Sequence, residues 1–177
     1  MKKKVKLFTT IASLCLAVAL MAFGVYAARS IILTANGTIT FEATDINGVW
    51  TQVVANVSGG EFKTGEKTAQ TLTVEGTTVT IPEVKVVAAD NDEHPVVTIT
   101  LTATFKNNAD TVAASLTSAE ASKNEGDNST IDITGNTGTA AATETGTVVA
   151  TIKLTVKNNY TKAITSYSVT FTAVKAA

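Results

Sequence analysis

Beyond the lysine-rich start, the densest cluster of ionisable side chains is Asp90-Asn91-Asp92-Glu93-His94, which contains the chain's one histidine. Three carboxylates and an imidazole within five residues are suitable donors for a divalent cation. A loop of the EF-hand type also needs a glycine at its bend and a glutamate at a fixed distance, and neither is present. No HExxH pair supplies zinc ligands. The cluster therefore reads as a solvated turn ahead of Pro95, and no metal site is expected. A Ser-His-Asp triad would have to use His94 as its base, and there is no GxSxG elbow to present the nucleophile. Glu42, Asp45, Glu61, Glu66, Glu75 and Glu83 are spread over separate strands and turns, so no pair is singled out for glycosidase chemistry. The glycines punctuate turns and do not precede a helix as a phosphate loop does. The expectation is no catalytic residue and no cofactor.

Binding without catalysis needs other residues. Trp50, Phe62, Tyr160 and Tyr167 would suffice for a carbohydrate platform. Trp50 falls out of phase with Val53, Ala55 and Val57, which would expose it or set it at one end of the fold. Packing in a core or at an edge is the commoner fate of a lone Trp.

The elements that must carry these residues are strands. From Val97 to Phe105 the odd positions are apolar (Val97, Ile99, Leu101, Ala103, Phe105) and the even ones between them are Thr. Period-2 alternation gives a strand with one buried face. The pattern returns at Ala150, Ile152, Leu154 and Val156. Both runs end in Lys-Asn-Asn (106–108 and 157–159), a turn signal that suggests equivalent hairpins. Thr makes up roughly a fifth of the chain, and its branched Cβ suits a pleated surface.

Further strands are expected at Ser30 to Ala35, Thr38 to Thr44, Trp50 to Ser58, Thr68 to Glu75, Thr77 to Ile81, Val84 to Ala88 and Ser166 to Val174. Asn36-Gly37 reads as a turn, and hairpins are expected over Gly37 to Ser58 and about Gly76. Ser118 to Gly146 is rich in Ser, Asn, Gly, Asp and Glu and reads as a polar, mobile excursion. Nine or ten short strands with regular turn signals predict an all-β, antiparallel two-sheet β-sandwich, jelly-roll or immunoglobulin-like.

The first 27 residues stand apart from this pattern. Lys2, Lys3, Lys4 and Lys6 precede an apolar run from Leu7 to Phe23, and Val25-Tyr26-Ala27 ends in small residues at −3 and −1. That is the layout of a secretory signal peptide, read as an N-terminal signal helix cleaved between Ala27 and Ala28. The alternative is a retained anchor, because the run approaches the ~18–20 residues that span a bilayer. Cys15 follows Leu14 rather than a small residue, so lipidation is not expected. Residues 28–177 would then form one domain without cysteine. Removing residues 1–27 takes away four of the 14 Lys and Arg and none of the 15 Asp and Glu. Ten basic side chains then stand against 15 acidic ones, a net charge of −5. Scattered, mildly acidic charge argues against a nucleic-acid partner and leaves the membrane only the uncleaved signal segment.

Lys2 to Lys4 leading through the apolar run to Gly24-Val25-Tyr26-Ala27, with strands ending at Phe105 to Asn108 and Val156 to Asn159, resembles the TasA/camelysin group of secreted bacterial proteins. The resemblance covers the signal, the first strand and two turns, about a third of the chain. It implies processing by a SipW-type signal peptidase, a jelly-roll-like sandwich, and assembly into extracellular matrix fibres by donation of an N-terminal strand. The reputed protease activity of camelysin finds no supporting residues here.

The expected role is a secreted, non-enzymatic structural or cell-surface protein that self-associates, with Ile31, Ile32 and Leu33 as the candidate donor strand. The same three residues could instead pair within their own sandwich. The alternative role is a monomeric extracellular binding module that holds a glycan or protein through loops such as Asp90 to His94 and Ser118 to Gly146.

Overall fold

Alternating Thr and apolar residues keep the chain extended, because each β-branched side chain packs against its cross-strand neighbour on a pleated face. The computed structural model describes residues 30–65, 67–87, 95–125, 129–156 and 162–177. These form twelve strands and no helix. In chain order they are β1 (Ser30–Thr44), β2 (Gly48–Ser58), β3 (Gly60–Phe62), β4 (Ala69–Thr73), β5 (Thr78–Ile81), β6 (Val84–Val87), β7 (Val96–Asn107), β8 (Ala114–Asn124), β9 (Ser129–Gly135), β10 (Thr137–Ala140), β11 (Thr145–Val156) and β12 (Lys162–Lys175).

Two sheets pack face to face. One runs β10-β8-β12-β1-β6-β3, with β5 also on β1, and the other runs β4-β2-β7-β11-β9. Their facing sides carry the expected alternation. Val97, Ile99, Leu101, Ala103 and Phe105 are buried on β7, as are Ala150, Ile152, Leu154 and Val156 on β11. Tyr167, Val169, Phe171 and Ala173 meet them from β12. The two long strands β7 and β11 are direct antiparallel neighbours, and each is followed by a strand of the other sheet rather than by a hairpin partner. Lys157 to Asn159 lie outside the described residues.

The fold is all-β, with two antiparallel sheets apart from one pair. β1 and β12 run parallel, from Ile32 opposite Lys162 to Thr44 opposite Val174. The whole chain separates these strands, so no tight turn obliges them to run antiparallel.

Local turn chemistry misleads in three places. Asn36-Gly37 does not turn: β1 runs straight through it. Gly37 stands opposite Tyr167, and a β-carbon there would fall 2.6 Å from the ring's Cζ and hydroxyl oxygen. The glycine is present so that the phenol can lie across the strand. The Asp45-to-Gly48 turn, with Asp45 at φ 56°, connects β1 to β2 across the two sheets rather than as a hairpin. The Gly76 turn likewise passes from β4 in one sheet to β5 in the other. Both are arches because the apolar faces of consecutive strands face each other instead of lying side by side.

The polar stretch from Ser118 to Gly146 also departs from expectation. It holds most of β8, all of β9 and β10 and the first residues of β11. At Asn136 the chain crosses from the five-stranded to the seven-stranded sheet, so this stretch closes one side of the sandwich. The crossing is tight: a β-carbon on Gly135 would sit 1.8 Å from the Ser118 carbonyl oxygen.

Candidate functional site

The sequence-derived candidates among the described residues are not gathered into one site. Asp90 to His94, Glu66, Tyr160, Ala27 and Ala28 lie outside the described residues. Glu42 is exposed on β1, Asp45 is in the β1–β2 turn, Glu61 is on β3, and Glu75 is exposed after β4. Glu83 is held by Lys63, whose Nζ lies 2.7 Å from its Oε2. Among the described residues no three His, Cys, Asp or Glu side chains are grouped closely enough to hold a metal ion.

The aromatic residues are brought together, but inside the core. β2 shifts register against β7 between Trp50 and Gln52, so that Trp50 pairs with Phe105 and Val53 with Ala103. This bulge moves Trp50 onto the same face as Val53, Ala55 and Val57, which explains its phase in the sequence. Trp50 packs against Phe41, Phe105 and Phe171 at 5.5, 5.1 and 5.9 Å between ring centroids. Its indole N–H donates to the Glu42 carbonyl at 3.0 Å. Phe62 and Tyr167 are buried elsewhere in the core, so these aromatics form no exposed platform. A groove of about 380 Å³ opens beside Trp50 between Phe41, Ala43, Val49, Val74 and Gly76. Among the described residues its lining is mostly apolar and holds no titratable side chain.

Two buried polar residues tie the layers together, and the sequence does not single out either of them for this role. Asn107, at the end of β7, is fully buried. Its Nδ2 lies 2.8, 3.2 and 3.1 Å from the carbonyls of Val112, Ala140 and Ala141, and its Oδ1 accepts from Ala109 N–H at 3.0 Å. Ser118 on β8 donates from Oγ to the Val149 carbonyl of β11 at 2.7 Å and accepts from Asn136 N–H at 2.8 Å. It thereby joins the two sheets at the tight crossing.

Tyr167 is different. Its hydroxyl and that of Thr165, two residues away on the same face of β12, are buried with no hydrogen-bond partner. Burial pushes the Tyr167 phenol well above its ordinary value of 10.0. The folded state therefore keeps the phenol neutral. Its contribution is fully present below about pH 10, where the unfolded phenol is also protonated, and is lost as pH rises above that. Tyr167→Phe is expected to remove this alkaline loss. Because no hydrogen bond is given up, Tyr167→Phe and Thr165→Val should each leave stability unchanged or raise it by about 1 kcal/mol. Urea unfolding near neutral pH and again above pH 10 checks both. A loss of stability in Tyr167→Phe at neutral pH would show that the hydroxyl has a partner.

The candidate donor residues lie in the middle of a sheet. Ile31 pairs with Val86 of β6, while Ile32 and Leu33 pair with Lys162 and Ala163 of β12. Farther along, Gly37 to Thr40 pair with β5 on one side of β1 and with β12 on the other. The first strand is thus held on both sides.

No family model matches the chain, and no curated protein matches it. Among solved structures, the yeast delta-COP-I mu-homology domain aligns at 7% identity and TM-score 0.18, covering 81% of this chain and 95% of that one. The same domain complexed with a Dsl1 WxWxV peptide aligns at 7% identity and TM-score 0.21, covering 81% and 96%. Similarity at that level carries no argument about fold or activity.

Proposed function

We propose that this chain is a secreted, non-enzymatic structural or cell-surface protein, a jelly-roll-like sandwich following a cleaved signal helix, and that it assembles into fibres by exchanging its N-terminal strand. The observation that carries the reading is the position of β1. It is the first strand after the expected cleavage point between Ala27 and Ala28, and it fills a slot between β12 on one side and the consecutive strands β5 and β6 on the other. A neighbour offers the same slot in the same register, so β1 of one molecule can make in the next the bonds it makes at home. Such contacts run head to tail and need not close, which gives a filament. β12, the last strand, supplies one wall of the slot, so the slot is complete only when the rest of the chain has folded.

The test compares residues 28–177 with residues 36–177 by size exclusion and negative-stain microscopy. Filaments are expected from the first and none from the second. A protein that stays monomeric at every concentration, with the truncation merely less stable, would overturn strand exchange. The apolar groove beside Trp50 favours the second reading, a monomeric binding module for a glycan or protein ligand. On that reading the protein stays monomeric with β1 at home.

A further inference from the structure

The five-stranded sheet ends in two edges, β9 and β4, and they are finished differently. On β9 both outward main-chain groups of Ile131 are covered. Its N–H donates to Glu125 Oε1 at 3.0 Å, and its carbonyl accepts from Lys123 Nζ at 3.2 Å. Charged side chains laid over an edge are one way a sheet is kept from pairing with another chain. Among the described residues no side chain bonds the outward main-chain groups of β4 in this way. Val57 N–H bonds the Thr68 carbonyl and Val74 N–H bonds the Thr51 carbonyl, which fixes the phase of the β2–β4 ladder. The even positions from 68 to 74 face β2, so the N–H and C=O groups of Ala69, Thr71 and Thr73 point away from the sheet. All three residues are exposed, and Thr68 to Val74 contains neither a charge nor a proline.

We propose that β4 is a self-association edge, pairing antiparallel with β4 of a second copy of this chain about a two-fold axis at Thr71. In that register Thr71 faces the second copy's Thr71 and Ala69 faces its Thr73, giving about six main-chain hydrogen bonds from three fully bonded pairs. The flanks select the same arrangement. Lys67 and Glu75 are both exposed, and each lies four residues from Thr71 on opposite sides. The two-fold sets Lys67 against the second copy's Glu75 and Glu75 against its Lys67, whereas in-register parallel pairing would set like charges together. The product is a continuous ten-stranded sheet, within the range that open sheets reach. So short a ladder falls below the ~1,600 Å² of a standard interface, so the dimer is weak and forms at high concentration. A two-fold contact closes on itself and does not depend on strand exchange by β1.

Residues 28–177, which contain every described strand and no cysteine, serve for the test. Sedimentation velocity over a wide concentration range should show a monomer–dimer equilibrium. Thr71→Pro should abolish it without a fall in melting temperature, because the Thr71 N–H bonds nothing within its own sheet. If that variant does not fold, Thr71→Lys takes its place. Lys67→Glu and Glu75→Lys should each weaken the dimer, and the double reversal should restore it. Thr71→Cys should form a disulfide-linked dimer on a non-reducing gel, while Val54→Cys on the adjacent strand should not. This readout stays specific even if β1 also builds filaments. A protein monomeric at every concentration, a dimer indifferent to Thr71→Pro, or a double reversal that fails to restore would each overturn the proposal.

Discussion

Asn107→Ala is expected to lower the stability of the fold by about 3 kcal/mol, as far as a sizeable core truncation does. The side chain is fully buried, and its amide reaches three carbonyls on two separate segments while its oxygen holds Ala109 N–H. Alanine leaves those groups in the interior without partners, and each stranded buried group costs about 1–3 kcal/mol. Relaxation and entry of water recover part of that, which is why the expected sum is below four full penalties. Asn107→Asp should be no milder, because it keeps the acceptor, removes the donor and turns a carboxyl toward carbonyl oxygens. Urea unfolding with a constant m-value measures both variants. A loss within about 0.5 kcal/mol, typical of surface positions, would show that Asn107 is an ordinary turn residue.

That residue also shows where sequence reasoning stops. Lys106-Asn107-Asn108 reads as a turn because Asn is suited to turns, and the strand does end there. Nothing in the spacing reveals that Ala140 and Ala141, more than thirty residues away, return to accept from the same amide. Hydrogen bonds between distant segments leave no periodic trace. The strands themselves were legible for the opposite reason: alternation on β7, β11 and β12 is a local consequence of one buried face.

The errors share a cause. Asn36-Gly37 has the composition of a tight turn, yet Gly37 answers to the ring of Tyr167, which stands opposite it only after β1 and β12 have paired in parallel. Trp50 falls out of phase in the sequence because a bulge, set by pairing with β7, takes up the extra residue. The stretch from Ser118 to Gly146 is polar because β8 is exposed over its second half and β9 over its end, at the margin of the sandwich. Polar composition there marks an edge of the fold, not the absence of strands. The same logic limits the functional reading. The expectation of no catalytic residue rests on residue types alone, whereas the open edge of β4 depends on strand order, which no spacing encodes.

Phe171→Ala should be the most damaging of the single changes considered, with an expected loss of about 4 kcal/mol. Phe171 is fully buried on β12 and lies directly opposite Phe41 in the parallel register with β1. The two rings stack at 5.8 Å and 15°, and Phe171 also reaches Trp50 of the other sheet at 5.9 Å. One side chain therefore supports both the β1–β12 pairing and the contact between the sheets at this end. Truncation removes its burial, leaves a cavity, and forfeits two aromatic contacts worth about 0.5–1.5 kcal/mol each. Phe171→Leu keeps most of the volume and should lose about 1–2 kcal/mol, mainly the ring contacts. Trp50 is the chain's one tryptophan, so its fluorescence reports on this cluster directly. In Phe171→Ala its emission should shift to the red in the native baseline, before any unfolding transition. Amide exchange should separate local from global effects. The N–H groups of β1 from Ile39 to Thr44 should open faster relative to those of the β7–β11 pair, because the Phe41–Phe171 stack joins β1 to β12 and includes no residue of β7 or β11. Equal acceleration everywhere would mean that the ring stabilises the sandwich as a whole and does not hold the first strand in place. A loss below about 1 kcal/mol would mean that the cluster is not packed around Phe171.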